Sequence, residues 1–273
     1  MTQPESQAAV LGLFHPAVRD WFLRQVGVPT EIQARAWPEI ASGRHVLVTA
    51  PTGSGKTLTA FLWAIHQQLF PPAGGRPGRV LYVSPLKALN NDIQRNLTEP
   101  LAGLRQACLA AGLAPPEIRT AVRSGDTGPA ERRAMLRHPP EIFITTPESL
   151  NLMLASAAGR PALADVGTVI LDEIHAVAAT KRGTFLMLAV ERLALLAGEF
   201  QRIALSATVQ PLDEVAAFVG GRRLVRTGAA AAHEPRAVSI ILATMAKRYD
   251  IEVDFPEASA EEAESGGWWD VLT

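Results

Sequence analysis

Short apolar segments alternate with longer amphipathic segments along most of the chain. The apolar segments are rich in β-branched residues and nearly continuous, which is typical of strands buried on both faces of a parallel sheet. They lie at His45–Thr49, Arg79–Ser84, Ile118–Val122, Glu141–Thr145, Val166–Leu171 and Gln201–Ser206, with further strands expected at Arg223–Thr227 and Val238–Ala243. Strand–helix alternation of this kind predicts an α/β fold, a doubly wound and mostly parallel sheet flanked by helices.

The amphipathic segments predict helices before and between these strands. Two of them, Pro16–Val26 and Glu31–Ala41, precede the first strand. The others are Lys56–Phe70, Leu86–Ala111, Pro129–Arg137, Pro147–Ser156, Thr184–Gly198 and Leu212–Val219. We expect the second of these to be broken near Pro100, because proline inside a helix removes a backbone hydrogen bond.

Composition supports a packed domain and gives little direct indication of a partner. The chain has 273 residues, of which 48% are apolar and 19% charged, so a substantial core is expected and wholesale disorder is excluded. The net charge of −1 does not by itself indicate a nucleic-acid partner. A surface that binds nucleic acid would have to be a local cluster of basic residues. The single cysteine, Cys108, excludes a disulfide framework, and its apolar neighbours Ala107 and Leu109 predict a buried thiol.

The two ends of the chain carry different signals. Met1–Ala9 lacks a basic stretch followed by an apolar run, and no apolar segment approaches the ~18–20 residues of a membrane span. We therefore expect a cytoplasmic protein, nucleoid-associated if bacterial, with no membrane partner. From Pro256 the sequence is acidic, small and without periodicity, which predicts a linker. Trp268 and Trp269 are expected to begin a further domain, so the predicted division is 1–255 and 256–273.

The strongest local motif is Ala50–Thr57, APTGSGKT, between a predicted strand and a predicted helix. This is the context of a Walker A phosphate loop, in which Gly53 and Gly55 let backbone N–H groups point at phosphate oxygens. Lys56 would reach the β- and γ-phosphates. Ala50 replaces the usual first glycine, and a structural glycine-rich turn is the alternative. The residues predicted to bind the nucleotide here are Thr52, Gly53, Ser54, Gly55, Lys56 and Thr57.

A second motif, Val169–His175, is an apolar strand that ends in two carboxylates and a histidine. Asp172, together with the Thr57 hydroxyl, is the predicted ligand of Mg²⁺, and Glu173 would orient the attacking water. His175 would link this site to moving parts of the domain. Taken alone, the acidic pair is more typical of a helix start, and the upstream phosphate loop favours the catalytic interpretation. The predicted catalytic residues are Lys56, Asp172, Glu173 and His175.

The segment Ser206–Thr208 follows another apolar strand, which would place it beside His175 in a parallel sheet. The hydroxyls of Ser206 and Thr208 are predicted to couple the histidine or the acidic pair to the rest of the domain. The alternative is an ordinary hydroxyl-containing turn at a strand end.

These segments, in this order, resemble a superfamily 2 helicase, and specifically the large helicase-related (Lhr) family of DExH-box enzymes. The resemblance covers about residues 14–220 and implies a RecA-like P-loop NTPase domain, with helices of the Q-motif type at about 14–42. The segments are PTEIQ (Pro29–Gln33), APTGSGKT (Ala50–Thr57), SPLKAL (Ser84–Leu89), RSGDT (Arg123–Thr127), TTPESL (Thr145–Leu150), LDEIHAV (Leu171–Val177), KRG (Lys181–Gly183) and LSATV (Leu205–Val209).

Gln33 matches the glutamine that contacts adenine in Q-motif helicases, which implies a preference for ATP. A glutamine amide offers both a donor and an acceptor, as the adenine edge requires. The alternative is an exposed polar residue on an amphipathic helix.

Three further segments match family motifs that bind the phosphate backbone of one nucleic-acid strand. Hydroxyls, backbone N–H groups and a few cations suit this task, because they bind phosphates without selecting a base sequence. Lys87 and Arg123 are the expected cationic contacts, whereas Asp126 and Glu148 are expected to orient neighbouring groups. Lys181–Gly183 is predicted to be a basic loop before a helix, and its role stays open. The predicted strand-binding residues are Pro85, Leu86, Lys87, Arg123, Ser124, Gly125, Thr127, Thr146, Pro147 and Ser149.

The resemblance also implies a second RecA-like domain, which supplies arginine fingers across the ATP cleft. No corresponding motifs follow Thr208. The predicted function is therefore the ATP-binding motor domain of a nucleic-acid-dependent ATPase or helicase that acts on single-stranded DNA, RNA or hybrids, with a role in DNA repair. With ATP and Mg²⁺ as cofactors, this chain alone is expected to hydrolyse slowly and not to unwind duplexes.

Two other functions are compatible with the same motifs. One is a P-loop translocase that moves on nucleic acid without separating strands. The other is a nucleotide-switched nucleic-acid-binding module without turnover. A translocase would show ATPase stimulation by single strands without strand displacement, whereas a helicase would show both. A binding module would show no hydrolysis in a single-turnover experiment.

Overall fold

The structure, a computed structural model, describes residues 9–71, 75, 77–85, 93–207, 209–227 and 230–243. Its centre is a seven-stranded sheet in the order β3-β4-β2-β5-β6-β1-β9, and every pair of neighbours is parallel. The strands of this sheet are β1 His45–Thr49, β2 Arg79–Val83, β3 Thr120–Arg123, β4 Ile142–Thr145, β5 Val166–Leu171, β6 Gln201–Ser206 and β9 Val238–Leu242. The predicted doubly wound parallel sheet is confirmed.

Helices cover both faces of the sheet. Their bounds are α1 Pro16–Gln25, α2 Glu31–Ala41, α3 Lys56–Leu69, α4 Glu99–Ala110, α5 Pro129–Arg137, α6 Pro147–Ala155, α7 Arg160–Leu163, α8 Lys181–Ala197 and α9 Leu212–Gly220. Short 3₁₀ helices occur at Val10–Leu13 and Ile174–Ala176, and a π-helical turn at Gln94–Thr98.

The pleat of the strands divides the buried side chains into two cores. In β1, Val46 and Val48 belong to the core under α1 to α4, whereas Leu47 belongs to the core under α6 to α9. This alternation follows from the period of two along a strand. Because both faces are covered, the strands are apolar at nearly every position, which is the pattern that the sequence shows.

Most predicted elements match the structure, and among the strands two differ. The third strand is Thr120–Arg123 and not Ile118–Val122, so Arg123 is the last residue of a strand. A strand was not predicted at Ala230–Pro235, β8, which pairs antiparallel with β7, Arg222–Thr227, in a separate two-stranded sheet. Its alanine-rich sequence lacks the β-branched residues on which strand prediction depends.

The predicted break near Pro100 is a change of helix type, since Thr98 keeps helical φ and ψ of −66° and −47°. The π-helical turn ends at Thr98, and α4 begins at Glu99 with Pro100 in its first turn. Proline is tolerated there because the N–H that it lacks has no partner within the helix. Residues 86–92 of the predicted helix lie outside the described residues.

The prediction that Lys181–Gly183 is a loop was wrong, because these residues form the first turn of α8. Thr180 is the N-cap, and its hydroxyl accepts a hydrogen bond from the Gly183 N–H at 3.2 Å. A Cβ added to Gly183 would lie 2.1 Å from the Val177 carbonyl oxygen, so only glycine lets this turn approach the preceding 3₁₀ turn so closely.

Two buried arginines bind the helices to the sheet near the amino-terminal ends of its strands. Arg202 of β6 and Arg236, just before β9, both donate to the carboxylate of Glu191 in α8. Arg236 also makes two bonds to Glu199, each of 2.8 Å, and both arginines donate to the carbonyl of Gly220. These contacts fix α8 and α9 against the sheet.

The remaining predictions concern Cys108 and the chain ends. Cys108 is buried and unbridged, as expected. Within the described part of the chain, no helix is both long enough and apolar enough to cross a membrane. The predicted linker at 256–273, with Trp268 and Trp269, lies outside the described residues, so the domain division remains a prediction.

His66 of α3 lies among aromatic rings, close to Phe14, Trp63 and Phe70. Its Nε2 accepts a hydrogen bond of 3.1 Å from the backbone N–H of His15, so the imidazole must be neutral. Burial, together with the electrostatic effect of His15, lowers the pKa of His66 from 6.5 to about 4.

This depressed pKa predicts a pH-dependent stability. Between pH 6.5 and about 4 the unfolded chain binds a proton at His66 that the folded chain does not, so the free energy of unfolding should fall as the pH falls through this range. The free energy of unfolding should decrease by about 2–3 kcal/mol over this range and should not change for this reason above pH 6.5. In His66→Gln, the glutamine amide can accept the same hydrogen bond without titrating. The free energy of unfolding of this variant, measured with urea, should therefore not show this decrease between pH 6.5 and about 4. An unchanged pH dependence in the variant would contradict the assignment.

Candidate nucleotide site and nucleic-acid interface

The phosphate loop connects the end of β1 to the start of α3. Gly53 and Gly55 have φ of +79° and +88°, a left-handed backbone that favours glycine, and Gly55 is the N-cap of α3. Ala50 is buried, and its N–H donates to the carbonyl of Ser206 at 3.2 Å, which extends the β1–β6 ladder by one residue. Ala50 therefore has a regular, strand-like role here, and the positions that need left-handed backbone are occupied by glycine.

Lys56 is held inside this loop. Its Nζ donates to the carbonyl of Ala50 at 2.6 Å and to the carbonyl of Pro51 at 3.0 Å, and its side chain is buried. A buried ammonium group needs such partners to offset its lost hydration. The loop thus keeps a positive charge at the N-terminus of α3, where the helix dipole is also positive.

Gln33 lies against the phosphate loop and is only 1% exposed, so the alternative of an exposed polar residue is wrong. Its Oε1 accepts the Thr30 N–H at 2.9 Å, while Thr30 Oγ1 accepts the Gln33 N–H, forming a capping box at the start of α2. The Thr30 hydroxyl also donates to the Ser54 carbonyl at 3.1 Å. The amide nitrogen of Gln33 packs against Gly55, where it would lie 2.8 Å from an added Cβ.

Asp172 follows β5 and is 6% exposed. Its Oδ1 accepts the Glu173 N–H at 2.8 Å, and its Oδ2 accepts the hydroxyl of Tyr82 at 2.5 Å. Burial raises the pKa of this carboxyl group, while the Tyr82 and Glu173 hydrogen bonds and the charge of Lys56 act in the opposite direction. Asp172 thus lies within electrostatic reach of the phosphate-loop lysine.

Sequence reasoning missed Tyr82. Its contact with Asp172 follows from the strand pairing in the structure, because β2 pairs with β5 in register Tyr82↔Ile170 and Asp172 lies two residues beyond Ile170 on the same face. A long aromatic side chain reaches such a diagonal neighbour.

Glu173 and His175 lie beside this carboxylate on an irregular backbone. Glu173 has φ of +50°, the only positive φ at a non-glycine residue in the described chain. The Nδ1 atom of His175 is 3.1 Å from the Ala207 N–H nitrogen and 3.2 Å from Glu173 Oε2. One nitrogen cannot accept and donate at once, so these two contacts are alternatives.

The contact from β6 to His175 is made by the backbone of Ala207, and not by the hydroxyl that we expected from Ser206. The Ser206 hydroxyl is buried and has no hydrogen-bond partner within the described part of the molecule. Thr208, the other predicted coupling residue, lies outside the described residues.

The predicted strand-binding loop after β3 is organised by its own hydrogen bonds. Thr127 Oγ1 accepts the Ser124 N–H at 2.9 Å and donates to the Val122 carbonyl at 3.2 Å. Arg132 of α5, which sequence reasoning missed, donates to the carbonyls of Ser124 and Gly125. The hydroxyl of Thr127 therefore shapes the loop, and the loop presents its outer surface to solvent.

The next predicted segment is the start of α6. Thr146 is the N-cap, and its hydroxyl accepts the Ser149 N–H at 3.3 Å, with Pro147 in the first turn. Thr145, at the end of β4, donates through its hydroxyl to the Arg123 carbonyl at 2.9 Å. The two segments thus form one continuous surface.

A cavity of about 620 Å³ lies between these two segments. Glu148 and Arg182 line it and form an ion pair with distances of 2.6 and 3.1 Å. Arg123, an expected cationic contact, is half-buried, and burial followed by the charge of Arg132 lowers the pKa of its guanidinium group. Pro85 is buried after β2, and Leu86 and Lys87 lie outside the described residues.

The predicted residues therefore divide into two groups along one edge of the sheet. Those assigned to the nucleotide follow β1, β5 and β6, which are adjacent, and those assigned to the strand follow β3, β4 and β2. In open α/β sheets, ligands bind beyond the carboxyl ends of the strands. β5 and β2 are neighbours, so the two groups meet between them.

Comparison with known proteins agrees with this geometry. The family model described as DEAD/DEAH box helicase matches residues 30–215. The Lhr helicase/probable uracil glycosylase of Mycolicibacterium smegmatis is 48% identical over 261 residues, which are 95% of this chain and 16% of that protein. ATP-dependent helicase Lhr-Core protein 2 of Thermococcus barophilus is 48% identical over 243 residues, which are 87% of this chain and 27% of that protein.

A solved structure of Mycobacterium smegmatis helicase Lhr bound to ssDNA and AMP-PNP is similar to this chain, with 50% identity and a TM-score of 0.78. The similarity covers 88% of this chain and 29% of that one. The chain thus spans less than a third of the length of these relatives. The RecA-like fold and the resemblance to Lhr helicases are confirmed. The chain belongs to the DEAD/DEAH box helicase family, within which it is similar to the Lhr helicases.

Proposed function

We propose that this domain is the ATP-binding motor domain of a nucleic-acid-dependent helicase. The observation that carries the proposal is the convergence of a phosphate loop with a central lysine, Lys56, after β1 and two acids, Asp172 and Glu173, after β5, with only β6 between these two strands. The solved Lhr structure was obtained with AMP-PNP, which supports ATP as the nucleotide.

Each phosphate-loop residue has a role that its position supports. The backbone N–H groups of Thr52–Gly55 and the N-terminus of α3 would bind phosphate oxygens, because they carry partial positive charge. When the nucleotide binds, Lys56 Nζ would give up its hydrogen bonds to the Ala50 and Pro51 carbonyls and donate to the β- and γ-phosphates instead. Gln33, packed against Gly55, would contact adenine through its amide nitrogen, since its oxygen belongs to the capping box.

The residues present fit a magnesium ion. Among the described residues, no group of three or more His, Cys, Asp or Glu side chains is close enough to hold a metal. Mg²⁺ usually takes only one or two carboxylates and completes its shell with water and phosphate oxygens. The carboxylate of Asp172 and the hydroxyl of Thr57 fit that requirement. When bound, the ion would neutralise charge on the phosphate oxygens.

Glu173 would orient and activate the attacking water, because its side chain is half-exposed beside the buried Asp172. His175 would couple this step to β6 through Ala207, where its Nδ1 atom exchanges between the Ala207 N–H and Glu173. Ser206 and Thr208 are retained as candidate coupling residues on the same strand end.

The nucleic-acid partner would lie across the loops after β3 and β4. The Lhr structure contains ssDNA, which supports a single strand of DNA, RNA or a hybrid as the partner. The proposed contacts are Pro85, Leu86, Lys87, Arg123, Ser124, Gly125, Thr127, Thr146, Pro147 and Ser149. A second RecA-like domain would complete the ATP cleft, and duplex unwinding and a role in DNA repair are proposed for the whole protein only.

Two substitutions test the nucleotide site. Lys56→Ala should weaken ATP binding, because it removes the one side-chain cation of the loop. Glu173→Gln should leave binding within about twofold and lower single-turnover hydrolysis by roughly 10²–10⁴-fold, the range for loss of a general base. Calorimetry with ATP and quenched-flow hydrolysis measure the two effects. Equal hydrolysis rates for the wild type, Lys56→Ala and Glu173→Gln would refute the proposal and favour a nucleotide-switched binding module.

The 273-residue polypeptide also tests the need for a second domain. Since an arginine finger in related phosphoryl-transfer systems contributes roughly 10³–10⁵-fold in rate, we expect this polypeptide to bind ATP but to hydrolyse it slowly. Strand displacement on a tailed duplex should be undetectable. Robust unwinding by the monomer would contradict the expectation.

The Glu148–Arg182 pair gives a prediction for strand binding. It is a half-exposed pair, of the kind that contributes about 0–1 kcal/mol, so a strand phosphate can displace Glu148 from the guanidinium group. Arg182→Ala should weaken single-strand binding, and Glu148→Gln should strengthen it about 2–5-fold. Fluorescence anisotropy at low salt measures both.

Glu131, which lines the same cavity and forms no ion pair with the residues that the structure describes, provides the matched control. If Glu148 acts by occupying Arg182, Glu148→Gln should have no effect in an Arg182→Ala background, and Glu131→Gln should change the affinity less than Glu148→Gln does. Equal effects of the two glutamine variants in both backgrounds would indicate general charge repulsion instead.

A further inference from the structure

Tyr82 connects the two halves of the candidate nucleotide site. It lies in the middle of β2, is 2% exposed, and its ring stacks on Phe61 with centroids 4.8 Å apart and an interplanar angle of 28°. Phe61 is a buried residue of α3, the helix that begins at Lys56 of the phosphate loop. The position of the Tyr82 ring is therefore set by the helix that carries the phosphate loop.

The hydroxyl at the other end of this ring donates to Asp172. A buried phenol needs a hydrogen-bond partner, and the pleat and the parallel register of β2 and β5 bring Asp172 within its reach. Tyr82 thus contacts the helix of the phosphate loop with its ring and the acid of β5 with its hydroxyl.

The carboxylate of Asp172 is held by two donors, one for each oxygen. The Glu173 N–H binds Oδ1 and the Tyr82 hydroxyl binds Oδ2. The first donor belongs to the backbone and is present with any side chain at 173. The second depends on one hydroxyl group, and a carboxylate held at both oxygens turns less easily about its Cβ–Cγ bond than one held at a single oxygen.

We propose that Tyr82 is a positioning residue for the metal–nucleotide complex, which sets the orientation of the Asp172 carboxylate relative to the phosphate loop. This inference rests on the proposed ATP site. Tyr82 does not touch the nucleotide, and it acts through Asp172 alone. Its contribution should therefore appear only when the ligand engages that carboxylate.

Tyr82→Phe tests the proposal, because it keeps the ring on Phe61 and removes only the hydroxyl. We expect the affinity for ATP in excess EDTA to stay within about twofold of wild type. The affinity for ATP with saturating Mg²⁺ should fall roughly tenfold, the effect of removing a hydrogen bond to a charged group. Calorimetry with ATP in EDTA and with ATP and Mg²⁺ measures the two affinities. A thermal melt of the variant establishes that it folds.

The matched control is the same substitution in an Asp172→Ala background, where the loss of the hydroxyl should change neither affinity. Equal weakening of both nucleotide forms by Tyr82→Phe would overturn the proposal in favour of a purely structural role. Unchanged or tighter binding of the Mg²⁺ form would also overturn it. Failure of the proposed ATP site itself is distinguishable, because the wild-type chain would then bind neither nucleotide form.

Discussion

Backbone hydrogen bonds of the parallel sheet continue past the ends of its strands, and this continuation fixes the functional residues. Ala50 donates to Ser206, Asp172 to Val83, and Ser84 to Thr145, at 3.2, 2.9 and 3.1 Å. Each bond ties the first residue of a functional loop to a neighbouring strand. The phosphate loop, the acidic pair and the strand-binding segments therefore start from a rigid frame, although their side chains lie outside it.

The same frame brings the two proposed sites onto neighbouring strands. β5 carries the acids of the proposed nucleotide site, and its neighbour β2 leads into one of the proposed strand-binding segments. Contacts between neighbouring strand ends are direct, as the bond from Ala207 to His175 illustrates. The left-handed backbone at Glu173 gives this junction a conformation that depends on its surroundings.

The sequence predicted the sheet, the phosphate loop and the acidic motif because each depends on local pattern. Apolar runs mark buried strands, and glycines mark the turn that phosphates need. It did not predict contacts that depend on strand order, such as Tyr82 with Asp172 or Arg132 with the loop at Ser124. It also placed Lys181–Gly183 in a loop, because the cap at Thr180 becomes evident only when Gly183 packs on Val177. Gln33 was predicted to contact adenine, and its burial in a capping box became evident only in the tertiary structure.

The central claim is that nucleotide and nucleic acid occupy different halves of one sheet edge. Amide chemical-shift mapping of the isotope-labelled chain with each ligand in turn tests it most directly. AMP-PNP with Mg²⁺ should shift the resonances of Gly53–Thr57, Asp172, Glu173 and Ala207. A single-stranded oligonucleotide should shift those of Ser124–Thr127 and Thr146–Ser149. Overlapping sets of shifted resonances, or the reverse assignment, would contradict the account.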